Sequence, residues 1–246
     1  MTSLTPKIMI ALDLDNIAQL DQLLTKLTPQ DCILKIGKAM FVAKGPEFVR
    51  GLINKGFKIF LDLKFHDIPN QVANAVVEAA KLGVWMVNVH ALGGKNMMLA
   101  AKQALDRYFA EKGSRPLLIA VTILTSQDGS DLQEIGLQGT VEENVLRLAK
   151  LAKYCGLEGV VCSAQEAHLI KLESNSGKDF ITVTPGIRLE TDNTQDQKRI
   201  MTPKAAVELG ADYLVIGRPI TGATDPLAVI TAINQSITLS PIQTEA

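Results

Sequence analysis

The chain has 246 residues, 47% of them hydrophobic and 21% charged, with a formal net charge of -1 at pH 7. That apolar share supplies a sizeable core and excludes a disordered chain. The near-neutral balance gives no reason to expect nucleic acid or an acidic membrane surface as a partner. Cys32, Cys155 and Cys162 form no CxxC pair and leave an odd one out, which reads as reduced, packed thiols in a cytoplasmic protein. The opening MTSLTPKIMIALDLDN has no basic head before a long apolar run, so no signal peptide is expected. No segment approaches the ~20 apolar residues of a membrane span.

Eight apolar runs rich in Val, Ile and Leu follow one another: KIMIALDL, CILKIG, FKIFLDLK, WMVNVHA, PLLIAVTIL, GVVCS, FITVTPG and DYLVIGRP. The third continues into HDIPNQV, where Pro69 suits the first turn of a helix beginning near Ile68. In that helix Val72, Ala75, Val76, Ala79 and Ala80 recur at helical steps, and Val145, Leu148, Leu151, Ala152 and Cys155 do so before the sixth run. Glycines close several helices just before the next strand, as in NKGFKIF and ELGADYLVIG. Near-continuous apolar strands alternating with helices predict a parallel sheet covered by helices. Eight such units predict an α/β protein built as a single (β/α)8 TIM barrel, in preference to an open doubly wound sheet. No linker divides the chain, so residues 1–246 are read as one domain, with a loose C-terminal tail from about 237. No GxGxxG follows the first strand, which disfavours a dinucleotide site.

In such a barrel catalysis sits at the C-terminal ends of the strands. Those ends carry Asp13 and Asp15, Lys35 and Lys38, Asp62 with Lys64 and Asp67, Asn88 and His90, Thr122 and Thr125, Ser163, and finally Gly217 with Arg218. Asp62 and Lys64, two residues apart on one strand, project from the same side. Burying such charges is costly unless they are paired or used. Lys35, Asp62, Lys64 and Asp67 on strands two and three therefore suggest an alternating array of cations and anions, with a structural salt-bridge network as the other reading. Asp15 reads equally as a helix N-cap. The Gly217-Arg218 pair after strand eight suits a phosphate. The polar run RLETDNTQDQKR before it reads as a lid over that phosphate or as a solvated loop, and the barrel puts it on the catalytic face. His66, His90 and His168 are dispersed without metal-binding spacing. Ser163 and Cys162 lack a nucleophile motif, and Trp85 reads as packing.

With these positions assembled, the segments ALDLDN, LKIGKAMF, FLDLKFHDIPNQV, VNVHALGG, TILTS, VTPGIR, DQKRIMTP and YLVIGRPIT closely resemble the orotidine 5'-phosphate decarboxylase family, bacterial type, over essentially the full length. The resemblance implies cofactor-free decarboxylation of orotidine 5'-monophosphate to UMP, closing de novo pyrimidine synthesis, with neither metal nor other cofactor. It implies Lys64 as the general acid toward carbon 6, Asp62 facing the substrate carboxylate, and Lys35 and Asp67 completing the array. It further implies a homodimer with shared sites, Asp67 serving the partner's pocket. Asp13 and Lys35 match ribose-contacting positions, Thr125 a nucleotide-contacting one, and Arg188, Gln197, Gly217 and Arg218 lid and phosphate positions. Ile68 and Gln71 join the substrate-binding set, Gln71 standing where many relatives carry Thr. The rival readings are a magnesium-dependent sugar-phosphate lyase or decarboxylase of a related barrel family, which HDIPN and DQKRIMTP disfavour, and a non-catalytic nucleotide-binding barrel, which Lys64 disfavours.

Overall fold

Eight parallel strands close on themselves in sequence order, each paired with the next and the last with the first. The computed structural model describes residues 7–14, 16–173, 179–189 and 201–238. The strands are β1 (Ile8–Ala11), β2 (Ile33–Gly37), β3 (Ile59–Phe65), β4 (Met86–His90), β5 (Leu117–Val121), β6 (Gly159–Val161), β7 (Ile181–Thr184) and β8 (Tyr213–Ile216), each inside one of the eight apolar runs except β3, which extends one residue past FKIFLDLK to Phe65. Between them run α1 (Ile17–Lys26), α2 (Lys38–Asn54), α3 (Pro69–Lys81), α4 (Gly94–Phe109), α5 (Gly129–Glu134), α6 (Val141–Tyr154), α7 (Ala164–Glu173) and α8 (Pro203–Glu208), and α9 (Arg218–Thr221) and α10 (Pro226–Thr238) follow β8. The fold is the (β/α)8 barrel. The final helix runs to Thr238, and residues 239–246, on which most of the expected loose tail falls, lie outside the described residues.

Local chemistry explains where the elements start and stop. Pro69 opens α3, its fixed φ suiting the first turn and its missing N–H costing no bond there. Asp128 and Thr140 each form a reciprocal capping box, opening α5 and α6. Within α2, Gly45 takes φ 69°, and with Pro46 next to it the helix is broken at that point.

The strands bury both faces, which is why they read as continuous apolar runs. Met9, Ala11, Ile33, Phe60, Met86, Ile119, Val183 and Val215 fill the barrel interior. The alternate residues, among them Ile10, Leu34, Leu61 and Val87, pack outward with Val72, Val76, Met97 and Leu105 of the helices. At the N-terminal ends of the strands the charges are paired and satisfy backbone. Glu158 is hydrogen-bonded to Arg115 and accepts the Leu118 N–H at 2.8 Å, while Asp212 takes Lys171 Nζ at 2.6 Å and the Thr182 N–H at 2.8 Å.

Gly159 of β6 is a point of close approach, since a Cβ there would lie 2.2 Å from the carbonyl oxygen of its β7 neighbour Ile181. A backbone oxygen cannot swing aside. Gly159→Ala is therefore expected to destabilise the barrel by about 2 kcal/mol or more through overpacking. That corresponds to a fall in Tm of at least about 4 °C for a domain of this size, and an unchanged calorimetric Tm would contradict the assignment.

Candidate active site

The C-terminal mouth of the barrel holds a cavity of about 520 Å³, within the range of small-ligand sites. Asp13, Lys35, Asp62, Lys64, Thr125, Arg188, Gly217 and Arg218 all line it. Ser126, Pro185, Gly186 and Thr221 line it too; they were not singled out from the sequence, although each lies just past a strand end.

The charged side chains form a row across adjacent strands. Lys35, on β2, donates to Asp13 after β1 at 2.8 and 3.1 Å, and its Nζ lies 3.7 Å from Asp62 Oδ2. Lys64 Nζ donates to Asp62 Oδ1 at 2.7 Å. The order is acid, base, acid, base. Lys35 and Asp62 are buried, whereas the Lys64 side chain retains 28% exposure and reaches the cavity. Burial alone would raise the Asp62 pKa. The charges of Lys64 and Lys35 and the hydrogen bonds from Lys64 and Asn88 outweigh it and hold the carboxyl below its ordinary value. Asp62 is therefore ionised at neutral pH. Gly37 makes room for the row, because a Cβ there would sit 2.9 Å from Asp13 Oδ1 and 3.2 Å from Lys35 Nζ.

Lys64 reaches Asp62 by an irregular path. A regular strand would carry both side chains inward by simple alternation, but the β3–β4 register shifts between Leu61 and Phe65. Lys64 adopts φ 53°, the one positive φ among the described non-glycine residues. The two side chains do meet, on a bulge instead of a regular ladder. Asn88 of β4, fully buried, accepts the Lys64 N–H at 2.8 Å and donates to Asp62 Oδ1 at 2.7 Å.

The sequence grouped Lys35, Asp62 and Lys64 with Asp67. Within the chain the row instead begins with Asp13, and Asp67 lies exposed on the turn into α3, its Oδ1 accepting the Ile68 N–H at 2.6 Å. Ile68 and Gln71 are exposed beside it, outside the cavity lining. Gln197, Asp15 and most of the lid segment fall outside the described residues. His66 and His90 stack with centroids 5.4 Å apart, and His168 lies on α7. Burial, then the positive charges of His66, Lys64 and Lys38, push the His90 pKa down to about 4. Among the described residues no three His, Cys, Asp or Glu side chains gather as a metal site.

Chemically, the row offers an ammonium held against a carboxylate at the edge of a cavity lined in part by apolar side chains such as Phe60 and Ile123, where a developing negative charge would be stabilised. Two guanidiniums, Arg188 from the loop after β7 and Arg218 from the start of α9, line the same space, suited to an oxyanion such as phosphate.

Comparison with known proteins agrees over nearly the whole chain. The family model described as Orotidine 5'-phosphate decarboxylase / HUMPS family matches residues 6–233. An orotidine 5'-phosphate decarboxylase of Pseudoalteromonas translucida is 58% identical over 94% of this chain and 97% of its own. One of Vibrio cholerae is 55% identical over 94% of this chain and 98% of its own. The crystal structure of orotidine 5'-phosphate decarboxylase from Lactobacillus acidophilus superposes with a TM-score of 0.81 at 43% identity, covering 95% of this chain and 99% of that one. With the barrel, the charged row and these relatives in agreement, the chain belongs to the orotidine 5'-phosphate decarboxylase family.

Proposed function

We infer that the chain decarboxylates orotidine 5'-monophosphate to UMP and carbon dioxide, the last step of UMP biosynthesis. The observation that carries this reading is the Asp62–Lys64 pair, 2.7 Å apart, at the cavity wall. Breaking the bond between ring carbon 6 and the carboxylate leaves the electron pair on that carbon, where no ring carbonyl delocalises it directly. A fixed positive charge and a proton source at the same atom answer both needs. In the proposed sequence the bond breaks beside the Lys64 ammonium, neutral carbon dioxide departs, and a proton from Nζ passes to carbon 6. The amine is then reprotonated from solvent, so one proton is consumed for each carbon dioxide released.

Asp62 holds Lys64 charged and in place. It also faces the substrate carboxylate, and the repulsion between them is relieved as the carboxylate becomes neutral. Lys35 holds the far side of Asp62, and with Asp13 it offers polar partners to the ribose. Thr125 contacts the base, and Arg188, Gly217 and Arg218 receive the phosphate, with Gln197 assigned to the same end. The phosphate's binding energy then serves to align the ring. The working unit proposed is a homodimer in which Asp67, with Ile68 and Gln71, completes the partner's site. The exposed position of Asp67 and the 65% exposure of Ile68 support this. The cytoplasm is the proposed compartment, in keeping with three cysteines of which none forms a disulfide; no helix among the described residues is long and apolar enough to cross a membrane.

The direct test follows the absorbance change of orotidine 5'-monophosphate with the purified chain and EDTA. Turnover indifferent to the chelator is expected, and turnover lost with it would favour a metal-dependent relative. In the same assay Lys64→Ala should lower kcat by at least about a thousandfold while UMP binding and Tm persist. Near-normal turnover would remove Lys64 from the chemistry.

Arg218→Ala should cost the nucleotide about a hundredfold or more in kcat/KM, in both kcat and KM, and leave the bare nucleoside nearly unaffected. Equal losses on both substrates would show that Arg218 does not read the phosphate.

Lys64→Ala and Asp67→Ala chains, each nearly inactive alone, should recover about a quarter of wild-type activity per chain when unfolded together and refolded as a mixture. In each hybrid dimer one site then inherits both lesions and the other none. With subunit exchange verified by mass, a mixture no more active than its parents would refute the shared site.

A further inference from the structure

Between the register pairs Leu61↔Val87 and Phe65↔Val89, β4 contributes one residue, Asn88, while β3 contributes Asp62, Leu63 and Lys64. The ladder is interrupted over the residues that carry the charged pair. A partly buried backbone N–H left there without a partner is costly, and the left-handed Lys64 backbone is itself strained unless its surroundings fix it. Asn88 answers both. Its Oδ1 takes the Lys64 N–H at 2.8 Å, and its Nδ2 donates to Asp62 Oδ1 at 2.7 Å, the same oxygen that receives Lys64 Nζ. The amide orientation is fixed by its partners, since a backbone N–H only donates and an ionised carboxylate only accepts. Asn88 is fully buried and is not part of the cavity lining, so its bearing on the site runs through Asp62 and Lys64.

The geometry points to Asn88 as a positioning residue that clamps the bulge from β4. One end of its amide holds the backbone of Lys64, the other holds the carboxylate to which the Lys64 ammonium is paired, and together they set where that ammonium stands. The inference rests on the decarboxylase reading of the site. Asp62 would keep its charge through Lys64 and Lys35 without the amide. What the amide adds is placement, and displacing a reacting group by about 1 Å can cost on the order of a hundredfold in rate.

The test compares purified wild type, Asn88→Ala and Asn88→Asp in steady-state decarboxylation, with UMP binding measured separately by calorimetry. Wild-type turnover is the control that checks the decarboxylase reading itself, before any variant is compared. Asn88→Ala is expected to lower kcat by about ten- to a hundredfold, with KM and the UMP Kd within about threefold of wild type. A kcat within twofold of wild type overturns the inference, as does a loss carried by KM and UMP binding alone.

Asn88→Asp preserves the shape and guards against an alanine variant that fails to fold. Its new carboxyl would face Asp62 and Lys64 of β3, with His90 further along β4 and no ionisable residue on β5 (Leu117–Val121). As a carboxylate it still accepts the Lys64 N–H but repels Asp62, and burial beside Asp62 raises its pKa. Protonated, it can donate to Asp62 as the amide does. Its kcat relative to wild type should therefore be low at neutral pH and climb as pH falls through that raised pKa. A ratio that stays near one, or that does not change with pH, overturns the inference.

Discussion

A carboxylate that must stay charged while buried governs this site. Asp62 is nearly inaccessible, and it is tolerated there because two ammoniums and an amide surround it. The row from Asp13 to Lys64 follows from that requirement, because each buried charge has to be answered by the next. Neighbouring features serve the same end: Gly37 leaves space beside Asp13 and Lys35, and the bulge in β3 turns Lys64 back toward Asp62.

Such a row is a poor source of stability, since desolvation offsets most of the attraction within it. Stability comes from the apolar filling of the barrel and the shell between sheet and helices, with paired charges at the opposite end closing the bottom. The two ends of the strands therefore differ in kind. At the bottom, Glu158 and Asp212 spend their acceptors on backbone N–H groups of the neighbouring strand. At the mouth, the Lys64 ammonium is paired on one side and open to the cavity on the other. Strain is found at this end too, at Lys64, the residue to which the proposed mechanism assigns the proton.

The barrel was legible in the sequence because parallel strands buried on both faces read as unbroken apolar runs, and seven of the eight strands fall inside those runs, β3 passing its run by one residue, Phe65. The pair Asp62 and Lys64 was legible because two charges cannot enter such a run without a reason. The short helices α5 and α9 were not legible, as six and four residues hold too few turns to show a period. Nor was the bulge: alternation gave the correct facing for Lys64 through a regular strand that does not exist there. Asn88 appeared only as one polar residue among several at the strand ends. Its importance lies in what stands across from it on β3, which residue spacing along one strand cannot express. For the same reason the pairing of Asp13 with Lys35 across β1 and β2 was not read from spacing along either strand.

The division of charge inside the cavity bears on how binding and chemistry are separated. Asp13, Lys35, Asp62 and Lys64 cancel one another, so this part of the wall offers the substrate carboxylate little net attraction. Arg188 and Arg218 line the same cavity, and their guanidiniums suit an oxyanion. A substrate with a phosphate at one end and a carboxylate at the other would be drawn in by the first and merely admitted at the second. In the proposed mechanism binding energy is gathered where no bond changes, and the neutral row, already assembled, responds only when the carboxylate's charge moves onto carbon 6. An ammonium answers charge on that atom better than it attracts a carboxylate already opposed by Asp62. A difference between ground state and transition state is the part of binding that accelerates a reaction, and in the proposed mechanism it depends on Asp62 and Lys64 being fixed before the substrate arrives.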